Sequence, residues 1–161
     1  MLEVEDKKIT FLISSLAGGG AEGVCVNLAN YLAESGWNIT LVVLHLNNSV
    51  CHVSLRNLVS LKVLNVAHAR SAFIPLYNYL KHEKTRKILA FNYELTIALV
   101  FIRYFSRLQI KILARNINNF SNKMRGSENF WLKHIVNPLI RKGYCKADHI
   151  INQCSDMEKD L

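Results

Sequence analysis

The residues Ile9-Thr10-Phe11-Leu12-Ile13-Ser14 form a short, almost unbroken apolar run of β-prone side chains, the pattern of a strand buried on both faces. From Ala21 the period changes. Val24, Cys25, Leu28, Ala29 and Leu32 recur at helical spacing while Glu22, Asn30 and Glu34 fall elsewhere, and Gly36 supplies the glycine that closes such a helix. Runs at Ile39–Leu44, Leu61–Val66, Lys87–Phe91, Ile110–Ala114 and His149–Asn152 predict further strands. Helices are predicted over Leu76–Glu83, behind Pro75, over Leu95–Phe105, and over Asn129–Tyr144 with a kink at Pro138. Arg103 and Arg107 stand toward the end of the Leu95–Phe105 helix, where the macrodipole favours cations.

Strands alternating with helices predict an α/β, three-layer domain: a mainly parallel sheet of about six strands, covered on both faces and joined by right-handed crossovers. This is a Rossmann-like arrangement. Residues 1–161 read as one domain, without repeat, low-complexity segment or linker. Near the end, Ser155-Asp156-Met157-Glu158 has the S-x-x-E capping-box pattern that starts a helix. A helix begun there and stopping at Leu161 suggests a longer parent protein cut at a domain boundary; a frayed natural terminus is the alternative.

Half of the residues are hydrophobic, enough at 161 residues for a core that needs neither disulfides nor metal. Cys25, Cys51, Cys145 and Cys154 are far apart, without zinc-ligand spacing, and read as reduced thiols. The acidic start Met1-Leu2-Glu3-Val4-Glu5-Asp6 is unlike a secretory signal, so the expected compartment is the cytoplasm. The longest apolar stretch, Leu95–Ile102, falls far short of the about 20 residues a membrane span needs. Lys and Arg number 20 against 12 Asp and Glu, a net charge of +8. That charge suits an anionic partner such as nucleic acid, an acidic membrane surface or a phosphorylated small molecule. The charges are nonetheless scattered from Lys7 to Lys159, and a solvated surface accounts for them equally well.

Gly18-Gly19-Gly20 joins the first strand to the first helix, at the sheet edge where open α/β folds bind ligands. Glycine there permits a tight turn and lets backbone amides approach an anion that also feels the helix dipole. A phosphate is the natural guest, and a tight turn without ligand is the alternative. Gly18, Gly20 and Gly23 also satisfy G-x-G-x-x-G, but the carboxylate that should follow the second strand to hold a ribose is missing from Leu44-His45-Leu46-Asn47. The lysine and hydroxyl residue of a P-loop are missing as well.

The Ile9–Ser15 strand, the Gly18-Gly19-Gly20-Ala21-Glu22 loop, Asn27-Leu28-Ala29 with Leu32, and Gly36-Trp37-Asn38-Ile39-Thr40-Leu41-Val42 together resemble the amino-terminal domain of glycosyltransferase family 4. Ala147-Asp148-His149-Ile150-Ile151, followed by Cys154-Ser155, is similar to the motif that precedes that family's interdomain linker. The resemblance implies half of a GT-B fold: two Rossmann-like domains across a cleft, transferring a sugar from a nucleotide-sugar with retention of configuration. The first domain holds the acceptor, a glycan or lipid-linked molecule. The second, a nucleotide-sugar-binding domain that carries the family's paired glutamates, is absent from this sequence, which implies that the fragment alone is inactive.

The resemblance also implies site residues. Gly18, Gly19 and Gly20 would face the donor diphosphate, and Glu22 would contact donor or acceptor, unless it is simply a helix-start glutamate favoured by the dipole. Where the family often places a histidine after its fifth strand, this chain reads Ala114-Arg115-Asn116-Ile117, so no catalytic base is assigned. Arg115 and Asn116 are candidate contacts to acceptor or phosphate, or loop residues with local hydrogen bonds. No cofactor and no metal are expected, since neither paired histidines nor a D-x-D motif occurs. Basic and apolar residues interleave over Asn129–Lys146, which suits peripheral contact with the inner face of a membrane or ordinary packing against the sheet. Family habit points to bacterial surface polysaccharide synthesis. The rival class is a basic nucleic-acid-binding or other phosphate-binding Rossmann module without glycosyl transfer; scattered charge and the absence of nucleic-acid-binding signatures stand against a nucleic-acid partner.

Overall fold

A computed structural model of the chain describes residues 7–115 and 143–151. Six parallel strands form one sheet: β1 (Lys8–Ile13), β2 (Asn38–Val43), β3 (Ser60–Val63), β4 (Lys87–Ala90), β5 (Lys111–Arg115) and β6 (His149–Ile151), in the order β3-β2-β1-β4-β5-β6. That order is the Rossmann one, with the reversal of direction between β1 and β4. The helices are α1 (Gly20–Glu34), α2 (Phe73–His82) and α3 (Tyr93–Ser106). The predicted helix Asn129–Tyr144 and the capping box at Ser155 lie outside the described residues, except that Gly143 and Tyr144 are helical.

The period-two alternation of the strands divides the core into two. Phe11, Ile13, Leu41, Val43 and Leu89 face α1, whose Cys25, Val26 and Ala29 are buried against them. Leu12, Val42, Ile88, Ala90 and Ile112 face the other way, onto Leu76 and Leu80 of α2 and Leu95 and Leu99 of α3. α1 closes as its glycine predicts: Gly36 has φ +81, its amide bonds to Ala33 C=O at 3.1 Å, and the Trp37 amide reaches Leu32 C=O at 3.0 Å.

Three elements differ from the sequence pattern. β3 ends at Val63 because Asn65, with φ 56, turns the chain, although the Leu64 and Val66 amides still bond to Val43 and Leu44 carbonyls at 2.9 Å. α2 starts two residues before Pro75, which then sits in the first turn, where its missing N–H costs no helical bond. The polar stretch after β2 contains a 3-10 turn, Cys51–Ser54, and Asn30 of α1 clamps it. The Asn30 side chain donates to Ser54 C=O at 2.8 Å and accepts from the Arg56 amide at 3.0 Å.

The end of α3 carries both arginines where the sequence places them. Arg107 is a left-handed C-cap, with φ 56, while Arg103 does more than oppose a dipole. Its guanidinium bonds to Asp148 Oδ2 at 2.5 Å, to Ile110 C=O at 3.2 Å and to Lys146 C=O. Asp148 in turn accepts from the Ile112 amide at 2.7 Å and donates its own amide to Ile112 C=O at 2.9 Å. The Ala147-Asp148 motif is thus the anchor that sets β6 beside β5.

Candidate functional site

Open α/β sheets bind ligands outside the carboxyl ends of the strands, where the strand order reverses. Here Ser14 floors that crevice. Its amide donates to Asn92 Oδ1 at 3.0 Å, and its carbonyl accepts from the amides of Leu44 at 3.1 Å and His45 at 3.4 Å. A single residue therefore ties the ends of β1, β2 and β4. Asn92 is the N-cap of α3 without a side-chain capping bond, and its Oδ1 is the acceptor for Ser14.

On the α1 side of this floor lies the glycine loop. Gly18 has φ +100, open to glycine but straining other residues, and a Cβ there would stand 3.4 Å from Val50 Cβ. Gly19 is extended, with φ −76 and ψ 172, but a Cβ on it would lie 2.5 Å from Glu22 Oε2. The Glu22 carboxylate is therefore folded back over the loop, and a phosphate arriving there would compete with it for the positive helix end. A Cβ on Gly20 would meet nothing within 4 Å, nor would one on Gly23. The third glycine of the dinucleotide fingerprint thus lacks its usual reason, close packing of helix on strand. The Gly23 amide bonds to Gly19 C=O at 3.1 Å, which leaves the Gly20, Ala21 and Glu22 amides directed out of the helix end. Gly18→Ala is expected to lower the melting temperature by several degrees, through about 1–2 kcal/mol of left-handed strain. Gly20→Ala should hold or raise it, because alanine is the better helix former. Thermal unfolding of the two variants separates the cases.

Arg115 closes the same side. It ends β5 on the α1 face, its guanidinium carbon 5.5 Å from the centre of the Phe91 ring. Its Nη1 is buried without a hydrogen-bond partner. Burial lowers its pKa from the ordinary guanidinium value, and the nearby Cys25 partly opposes this. Cys25 is fully buried, which pushes its thiol strongly upward; Arg115 acts against the shift and Glu22 with it. That thiol stays protonated and is no nucleophile. The structure thus brings Gly18–Gly20, Glu22 and Arg115 to one end of α1, while Asn116 lies outside the described residues.

On the opposite side, against α2 and α3, is a cleft of about 700 Å³ that the sequence did not reveal. Leu44, Phe73 and Ile97 form apolar walls, and His68, Asn92, Tyr93 and Glu94 supply polar groups. Burial first, and then the neighbouring Glu94 carboxylate, push the Tyr93 hydroxyl pKa up to about 12. No group of three His, Cys, Asp or Glu suited to a metal occurs among the described residues. Nor is any helix among them long and apolar enough to cross a membrane.

A six-stranded parallel sheet of this order, with a glycine loop at the reversal, defines a Rossmann-like domain of the kind found in GT-B glycosyltransferases. No known family model matches the sequence, and no curated protein is similar to it. Among solved structures the chain is similar to the apo form of the lipopolysaccharide outer core galactosyltransferase WaaB, with TM-score 0.65 and 13% identity, over 95% of this chain and 41% of that one. It is also similar to Arabidopsis thaliana UGT89C1, in complex with UDP (TM-score 0.62, 14% identity, 92% and 42% coverage) and with quercetin (TM-score 0.61, 13% identity, 91% and 43% coverage). At such identity the likeness establishes the fold. The chain spans about two-fifths of each neighbour's length.

Proposed function

We propose that the chain is the acceptor-side domain of a retaining glycosyltransferase of family 4, completed by a second domain that grips a nucleotide-sugar. The observation that carries this reading is the match of nearly the whole chain to about two-fifths of glycosyltransferases, with the glycine loop at the sheet's switch point. Gly18, Gly19 and Gly20 would receive the donor diphosphate on outward-facing amides, and Arg115 would add a fork of donors toward phosphate or acceptor. Glu22 would accept hydroxyls of donor or acceptor once displaced from the loop. The catalytic group is unassigned, and the reading calls for no metal.

The acceptor in this reading is a glycan or lipid-linked molecule, and the setting is bacterial surface polysaccharide synthesis on the inner face of a membrane. The test is sugar transfer by the full-length protein with a panel of nucleotide sugars and a membrane extract, with Gly18→Ala and residues 1–161 alone as controls. Transfer by the full-length protein and none by residues 1–161 is expected. If the full-length protein binds no nucleotide-sugar, the reading fails and a phosphate-binding module without transfer replaces it.

A further inference from the structure

The outer surface of α2 and α3 is unusually apolar for one that meets water. Among the described residues it exposes Phe73, Ile74, Phe101, Tyr104 and Phe105, Tyr104 by 74% and Phe105 by 72%. α3 buries Leu95, Leu99 and Ile102, which turns Tyr104 outward together with Phe101 and Phe105, one helical turn apart. The three rings form an ordered cluster: Phe101 and Phe105 stack with centroids 6.3 Å apart, and Tyr104 meets Phe105 edge-on at 5.3 Å. Beside them the charge is basic. Arg107 caps α3, and Lys111 opens β5, where its amide bonds to Arg86 C=O at 2.7 Å and its register partner is Lys87. That pairing brings the segment between α2 and β4 to the same amino-terminal edge of the sheet. Lys81, Lys84, Arg107 and Lys111 are exposed, and none of the four pairs with a carboxylate among the described residues.

We infer that the carboxyl-terminal half of α3, with the basic edge beside it, is a docking surface for an anionic membrane. Tyr104 and Phe105 enter the headgroup layer, and Arg107, Lys111, Lys81 and Lys84 meet the lipid phosphates. Rings flanked by cations suit that layer, because an aromatic side chain rests at the boundary of water and hydrocarbon and each cation gains from the negative surface. Two other occupants fit less well. A second copy of the chain would set one basic patch against another. A single-stranded nucleic acid would use the rings for base stacking, but these rings are already packed on one another, and Ile74 offers no stacking face. Phe73 and Ile97 line the cleft, so the apolar surface of the two helices begins at its mouth. A lipid-linked acceptor would enter the cleft from that side; this use rests on the glycosyltransferase reading, whereas the docking does not.

The experiment is co-sedimentation of the full-length protein with phosphatidylglycerol vesicles, with phosphatidylcholine vesicles as the uncharged control. Binding to the anionic vesicles is expected at about 0.1 M salt, little to the neutral ones, and release at about 1 M. Tyr104→Gln with Phe105→Gln should weaken binding about tenfold or more. Arg107→Asn with Lys111→Gln should weaken it about 25-fold, from about 1 kcal/mol for each charge near the surface. Asparagine tolerates the left-handed backbone of Arg107, and all four side chains are exposed, so melting temperatures should hold. Tyr31→Gln, which removes an exposed ring on α1, should change nothing. Equal binding to both vesicles, no binding to either, or binding unchanged in either pair of variants overturns the inference. So does binding of single-stranded DNA in place of vesicles, or a dimer that the aromatic pair of substitutions dissociates. Vesicle binding without sugar transfer removes the enzyme and leaves the docking surface standing; transfer to a soluble acceptor without vesicle binding does the reverse.

Discussion

Arg115→Met is expected to leave the fold as stable as before, or more stable by up to about 2 kcal/mol, while cutting sugar transfer by about 10- to 100-fold. Two effects set the stability. A buried donor without a partner costs about 1–3 kcal/mol, and Nη1 of Arg115 is such a donor. Against that stands its contact with the Phe91 ring, worth about 0.5–2 kcal/mol as a cation–π pair and partly replaced by the thioether of methionine. The unmet donor gives the larger figure. In the proposed function that unmet donor serves a ligand, and losing a charge-assisted bond to phosphate would remove about 1.5–3 kcal/mol of binding. Chemical denaturation paired with kcat/KM of the full-length protein checks both halves. Arg115→Lys, which keeps charge but not the fork, should fall between. If Arg115→Met unfolds more easily and turns over normally, Arg115 is a packing residue.

Much of the fold was legible because burial on both faces leaves a plain trace in the chain. Phe11, Leu12 and Ile13 are all apolar since alternate residues face α1 and the α2–α3 pair, and the same holds for Leu41, Val42 and Val43. The glycine loop was legible for the same kind of reason, a backbone requirement written in residue type. What distinguishes Gly18 from Gly20 was not, because a φ of +100 and an empty 4 Å sphere exist only in three dimensions. The cleft was hidden more deeply. Ser14, His68 and Asn92 meet only through the order β3-β2-β1-β4, and no local pattern records that order. Asp148 was noticed as a motif letter, whereas its work with Arg103 depends on a partner 45 residues away.

Asp148→Asn is expected to destabilise the domain at neutral pH and to abolish one component of its acid sensitivity. Burial acts to raise the Asp148 pKa, but the Ile112 amide and the Arg103 guanidinium outweigh it and hold the carboxyl below its ordinary value. A carboxyl depressed in the folded state adds stability above its unfolded pKa, near 4, and that contribution disappears as pH falls through the folded value. Asp148 is 37% exposed and Arg103 25%, so solvent screening reduces the pair, and about 1–2 kcal/mol remains for the combined bonds. Melting followed from pH 7 downward should show parent and Asp148→Asn separated by several degrees at neutrality and converging below pH 4. A gap that persists undiminished in acid would mean that shape rather than charge anchors the strand. The consequence reaches the site, since β6 pairs with β5 in the register Leu113 with His149 and Arg115 with Ile151. A one-residue slip of β6 would reverse its faces and take Ile151 from beside Arg115. Weaker anchoring at Asp148 should therefore loosen β6 at the edge of the sheet while β5, paired with β4 from Lys111 to Ala114, keeps Arg115 on the α1 face.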